Sequence, residues 1–263
     1  MNSVQFHPLQ EWYNNYTGSF TSEDSYTEAN IRLKIKHTDN VRRNILNICN
    51  SISLSREKKF VAEVIALFHD IGRFEQLREF RTFNDARSVN HAELGIEILQ
   101  REKVLINLNQ SEREIIINAI RHHNLREIPQ NSEVAVVLFS KLIRDADKLD
   151  ILDILTQYYH SAANGTNPAL DLDLSEKKGF SAAVLDDIMN NQCVDVSHAS
   201  TTIDFKLMQM SWVFDIYFPF TYKIIIQNKY IEKLIAILPP IEGLEKVFEH
   251  ILDFLKKTVL PSN

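Results

Sequence analysis

The run Ala66-Leu67-Phe68-His69-Asp70-Ile71-Gly72-Arg73 sets two metal-capable side chains next to each other at the end of an apolar stretch. Adjacent side chains on a helix diverge by about 100°, so His69 and Asp70 can flank one cation only at the helix edge and need partners from elsewhere. Candidates stand on both sides. His37 is in register with Val41, Ile45 and Ile48, His91 with Leu94, Gly95 and Ile98, and His123 with Ile116, Ala119 and Ile120. A 3.6-residue period turns each set to one face, so three further imidazoles point inward; His122 sits beside its stripe rather than on it. Arg144 through Asp150 add Asp145, Asp147 and Asp150, whose burial without partners would cost several kcal/mol each. Asp147 and Asp150 share one face and Asp145 lies along the other, so periodicity alone chooses no ligand among them.

Four imidazoles with carboxylates and no sulfur suit Mn, Fe, Co, Ni, Zn or Mg, and the affinity trend across these ions leaves the occupant open. A set of six, His37, His69, Asp70, His91, His123 and one of the late aspartates, exceeds what one tetrahedral zinc uses. A carboxylate such as Asp70 can instead bridge two ions. Two ions roughly 3.5–4 Å apart stabilise both the attacking and the leaving oxygens of a phosphoryl displacement, which points to hydrolysis of a phosphate ester. Taken singly, each piece has a plainer explanation: a histidine on an apolar stripe is usually a hydrogen-bonded core residue, and the aspartate run reads equally as ion pairs between helices. The set as a whole carries the metal reading.

The elements that must position these residues are helical throughout. Six glycines and seven prolines in 263 residues are few, which favours helices over turn-rich β architecture, so the expected fold class is all-α. Residues 1–29, with Phe6, Trp12, Tyr13, Tyr16 and Phe20, are expected to form a short helix and an aromatic strap. Residues 30–160 are expected to form the metal-binding core. In it a helix over 30–50 carries His37, and the next, with Phe60, Val61, Val64, Ile65 and Phe68, ends in His69-Asp70 with Gly72 as its stop. Residues 73–87 show no clean period and are expected to be a loop over the site. Ser88 is the expected cap of the helix with His91, and Ser111-Glu112-Arg113-Glu114 the capping box of the helix with His123. A helix over 133–159, apolar all round, is expected at the centre. After a turn at Asn164–Pro168 and a polar loop over 169–179, helical patterns resume to residue 260, the last with Leu244, Val247, Phe248, Ile251 and Leu255 in one stripe. Residues 161–263 are expected to pack on the core as one globular unit.

A net charge of −6 and a pI near 5.9 argue against a polymeric nucleic-acid partner, which usually demands a basic face. Cys49 and Cys193 form no C-x-x-C pair, so no zinc-thiolate or disulfide framework is indicated. The polar N-terminus and the lack of an apolar run of about 18 residues give the expectation of a cytoplasmic protein with no membrane partner; a homo-oligomer is compatible with the sequence.

In the order His37…His69-Asp70…Asp147 the chain resembles the HD-domain superfamily of metal-dependent phosphohydrolases, whose signature H…HD…D lies on a helical bundle. The resemblance spans about residues 30–155. Interposed His91 and His123 are similar to the subgroup with H…HD…H…H…D, which implies a binuclear centre. Ala146-Asp147-Lys148-Leu149 resembles the closing A-D-[KR]-L element, which implies Asp147 rather than Asp145 as the ligand. The run Asp145 to Asp150 is similar to D-x-D-[KR]-x-D of deoxynucleotide triphosphohydrolases, which implies that Lys148 meets phosphate. Arg73 stands where the superfamily often has lysine, and its fork could grip phosphate in two places. His122-His123 runs into Asn124-Leu125-Arg126 rather than a G-Y-P element, so cyclic dinucleotides are disfavoured, and no ACT, TGS or synthetase segment of alarmone enzymes is present.

The resemblance implies an all-α HD bundle with added C-terminal helices. It also implies hydrolysis of a small phosphate ester, such as a nucleotide, by water whose pKa the ions lower toward 7. His37, His69, Asp70 and Asp147 would hold one ion and His91 and His123 the second, with Asp70 bridging. Asp70 and His69 are the expected catalytic pair, and Arg73, Lys148 and His122 the substrate contacts. Two alternatives keep the fold: a di-iron oxygenase, and a ligand-sensing module with a structural metal.

Overall fold

A computed structural model describes residues 1–161 and 179–259; the expected turn at Asn164–Pro168 and nearly all of the expected loop over 169–179 lie outside the described residues. The described residues contain helices and turns and no strand, and none of their helices is long and apolar enough to cross a membrane. The chain divides into two compact units, Met1–Asp150 and Ile151–Asn263.

The first unit contains α1 (Ser3–Gly18), α2 (Ser25–Ser51), α3 (Arg56–Phe68), α4 (Gly72–Phe80), α5 (His91–Arg101), α6 (Gln110–His122) and the beginning of α7 (Val134–Ser161). Helix α3 is its axis. Val61, Ala62 and Val64 through Phe68 are all buried on it, because α1, α2 and α6 each pack against one of its sides. The expected N-terminal strap is a four-turn helix: Phe6 of α1 meets Phe60 at 5.9 Å between ring centroids, and Tyr13 meets Phe68 and Phe74 at 6.3 and 6.5 Å. Side-chain caps start most of these helices. Asn2, Asp24, Ser55, Asn90 and Asn109 accept from backbone amides of their first turns, each contributing about 1 kcal/mol.

Several local expectations change. Residues 73–87 are not all loop, because α4 occupies Gly72–Phe80, followed by a single 3-10 turn at Asp85–Arg87. Its helical period is masked because Glu75 and Gln76 are buried alongside Phe74 and Leu77. Glu75 accepts from Tyr16 Oη at 2.9 Å and Arg101 Nη2 at 2.7 Å, so polar residues stand where an amphipathic pattern would show apolar ones. Gly72 is therefore not the stop of α3 but the first residue of α4. A Cβ there would lie 2.2 Å from the His91 carbonyl oxygen and 2.7 Å from Gly95 N, so only glycine lets the His69-Asp70 corner approach α5 this closely. Asn90 caps α5 in place of Ser88, and Asn109 caps α6 in place of Ser111. In both cases a neighbouring residue of equal capping ability is better placed for the amides. Val134, expected on an apolar face, is 89% exposed at the first turn of α7.

In the second unit the described helices are α8 (Ala182–Met189), α9 (Thr202–Ser211), α10 (Pro219–Gln227), α11 (Tyr230–Ala236) and α12 (Glu245–Val259). The expected continuous helix over 222–238 is two, broken at Lys229 in the left-handed conformation with φ 53°. Leu244, Val247, Ile251 and Leu255 of the expected stripe are buried. Asp204 organises the start of α9, accepting from the amides of Ser181 (2.7 Å), Ser200 (3.0 Å) and Thr201 (3.1 Å). These bonds overcome burial and lower its pKa.

Candidate metal centre

Five segments of the first unit deliver the expected ligands to one place. His37 comes from the middle of α2, His69 from the residue that caps the C-terminus of α3, and Asp70 from the turn after it. His91 is the first residue of α5, and His123 caps the C-terminus of α6. Asp147 comes from α7. Two groups of potential ligand atoms form, His37-His69-Asp70 and Asp70-His91-His123, each with its atoms within 4.8 Å of one another, and Asp70 belongs to both.

The two oxygens of Asp70 face opposite ways. Its Oδ2 lies 3.5 Å from His37 Nε2 and 3.7 Å from His69 Nε2. Its Oδ1 lies 3.3 Å from His91 Nε2 and 3.9 Å from His123 Nε2. Asp147 Oδ1 joins the first group at 3.1 Å from His37 Nε2 and 3.8 Å from His69 Nε2.

Each of these four histidines turns Nε2 inward and has its other nitrogen engaged. Nδ1 of His37 meets Asp150 Oδ2 at 2.6 Å, that of His69 the Ala66 carbonyl at 2.9 Å, that of His91 Asp85 Oδ2 at 2.6 Å, and that of His123 the Ile120 carbonyl at 2.6 Å. Carboxylates and carbonyls only accept, so each Nδ1 carries a proton and each ring, when neutral, offers its Nε2 lone pair. His91 Nε2 and His123 Nε2 are 3.0 Å apart, and burial drives both pKa values down to about 4. Two neutral acceptors therefore face each other without a proton between them, an arrangement a cation would relieve. Two nitrogens each about 2.1 Å from one ion and at right angles across it are about 3 Å apart. The donor set fits a divalent transition metal.

The charges around the cluster are uneven. Burial and Lys34 oppose a charge on His37, yet its bonds to Asp147 and Asp150 outweigh them and raise its pKa to about 9. Burial lowers that of His69. Burial works against the Asp70 carboxylate, but Lys34, His69, Arg73 and His91 hold its pKa well below the usual range. Lys34, one turn ahead of His37, donates to Asp70 Oδ2 at 2.6 Å. Its Nζ also stands 5.1 Å from the Phe83 ring centroid, with the Arg73 guanidinium 5.8 Å from the same ring.

Arg73 is anchored at this rim. Its Nη1 donates to Gln76 Oε1 (2.8 Å), the Phe83 carbonyl (2.6 Å) and Asp85 Oδ1 (2.8 Å), while Nε lies 3.5 Å from Asp70 Oδ1. His122 stands outside both ligand groups; its Nδ1 is 3.3 Å from Ser140 Oγ. Arg144 donates to the carbonyls of His122, His123, Leu125 and Arg126 and so pins the end of α6. Lys148 is half-buried beside Asp147. Of the three late aspartates, Asp147 faces the ligand atoms and Asp150 backs His37, while Asp145 is buried elsewhere on α7.

Sequence pattern singled out neither Lys34 nor Asp85, nor the supporting role of Asp150. Lys34 does leave a signal, its spacing one helical turn before His37. Asp85 leaves none, because it sits in a turn.

Against known families, residues 35–152 match the HD domain. No curated protein and no solved structure matches the chain.

Proposed function

With an HD domain at residues 35–152, we propose that the chain is a metal-dependent hydrolase of a phosphomonoester or phosphodiester, a nucleotide or related small molecule. His37, His69, Asp147 and Asp70 Oδ2 would hold one divalent ion, and Asp70 Oδ1, His91 and His123 a second. Such a pair supplies Lewis acidity that activates water and draws charge from phosphoryl oxygens. The single observation that supports the reading most is the Asp70 carboxylate, with one oxygen toward each histidine pair.

The protein's own groups divide the remaining work. Lys34 and Arg73, both beside Phe83 at the edge of the cluster, take the phosphate. Lys34 carries one compact charge and Arg73 a planar fork. Lys148 and His122, next in sequence to Asp147 and His123, complete the contacts to substrate. The buried rings of His37, His69, His123 and His91, tilted or edge-to-face with centroids 5.0–5.3 Å apart, would keep water to the face where substrate enters.

A panel of nucleotides and model phosphate esters with added Mn, Co, Ni or Mg tests this reading. Ester hydrolysis, read as phosphate or alcohol released, that disappears in His69→Ala and Asp70→Ala is the expected result. Hydrolysis that survives both substitutions contradicts it, as does oxygen consumption with bound iron and no ester hydrolysis.

A further inference from the structure

Asp85 stands behind the ligands, in the turn between α4 and α5, and its single carboxylate serves two sides of the site. Its Oδ2 accepts from His91 Nδ1 at 2.6 Å and from Asn124 Nδ2 at 3.4 Å. Its Oδ1 accepts from Arg73 Nη1 at 2.8 Å and Gln76 Nε2 at 2.9 Å. Gln76 ties the turn down further by donating to Ser88 Oγ at 2.8 Å and the Val89 carbonyl at 3.0 Å. We propose that Asp85 is the positioning residue that makes His91 a ligand, by fixing its proton on Nδ1 and freeing Nε2, while orienting Arg73 with its other oxygen. The inference rests on the metal-centre reading for what the freed nitrogen does. The tautomer it assigns stands independently of that reading.

The isosteric amide of Asp85→Asn cannot do both jobs. If the oxygen of that amide were turned toward His91, its NH2 would meet the donors of Arg73 and Gln76. If the NH2 were turned toward His91, it would require a lone pair on Nδ1 and so move the ring proton to Nε2, where it blocks coordination. Outer partners of this kind typically change metal affinity about 10–100-fold. Asp150, which holds His37 in the same way at 2.6 Å, provides the converse control on the other side of Asp70.

The test has two readouts on the full chain. Histidine 15N NMR of the metal-free protein is expected to show His91 protonated on Nδ1 in the wild type and on Nε2 in Asp85→Asn. Calorimetric titration with Co2+ is expected to show two ions in the wild type. Asp85→Asn should weaken only one of them, by about 10–100-fold, and Asp150→Asn should weaken the other. A wild-type His91 protonated on Nε2, or two unaltered ions in Asp85→Asn, overturns the role of Asp85 and leaves the metal centre intact. A wild type that binds no Co2+ overturns the metal centre instead, and the tautomer still decides the case for Asp85. Should Asp85→Asn fail to fold, the wild-type tautomer alone decides it.

Discussion

On the Oδ2 side of Asp70 stand His37 and His69 with Asp147 between them and Lys34 in contact, drawn from α2, the end of α3 and α7. On the Oδ1 side stand His91 and His123, from the start of α5 and the end of α6, with Asp85 behind and Arg73 alongside. The first half is rich in carboxylates. Its His37, favoured as a cation by Asp147 and Asp150 despite burial, titrates near 9. The second half has Asp85 behind His91 and only the shared Asp70 in front, and burial keeps both its histidines neutral down to about 4. A cation entering the first half must therefore displace a proton at neutral pH, and one entering the second need not. The same two-histidine motif, placed in two electrostatic settings, differs in charge and proton dependence between the two pairs.

Removing the shared carboxylate should have the largest effect. Asp70→Asn is expected to weaken both ions and lower kcat/KM by more than about 100-fold, beyond what the loss of an outer partner alone does. Titration of ions alongside turnover checks it, and full occupancy of either half would show that the two do not share Asp70. Acidification should then separate the halves. From pH 8 to pH 6, one displaced proton costs the first half about 100-fold in affinity, whereas the second changes little until the pH approaches 4. Calorimetry in buffers of different ionisation enthalpy reads the proton release directly.

A smaller effect follows from Gly72, which holds the two halves together. In Gly72→Ala the new methyl meets backbone at 2.2 Å, and overpacking of this kind costs about 1–3 kcal/mol. A lower melting temperature is expected, together with weaker binding in the second half, because the His69-Asp70 corner is pushed away from His91. The mildest change is Asn40→Ala, which removes the 2.8 Å donor to Asp150 Oδ1. At about 1 kcal/mol per bond, first-half affinity should fall several-fold and second-half affinity stay unchanged.

The inward histidines were legible in the sequence because each shares a helical stripe with apolar residues, and those stripes are buried apart from the half-buried Phe60 and Leu94. Choosing Asp147 over Asp145 needed the resemblance to a family, since periodicity puts polar residues on both faces of α7. What stayed hidden depends on tertiary contact. Gly72 reads as a helix stop, and only the approach of α5 shows it to be a packing glycine. The polar residues Glu75 and Gln76 disguise α4 because their partners, Tyr16, Arg101 and Asp85, are distant in sequence. Asp85 lies in a turn with no period to read, and the left-handed break at Lys229 interrupts a pattern that stays apolar on both sides.

If one carboxylate joins two histidine pairs into a single two-ion centre, the ions must sense each other. Electron paramagnetic resonance of the metal-free protein titrated with Mn2+ reads this without turnover, because ions about 3.5–4 Å apart are spin-coupled. The isolated-ion spectrum is expected to give way to a coupled one at two equivalents, and Asp70→Asn to abolish the coupling. Two uncoupled ions, or saturation at one, would contradict a shared carboxylate.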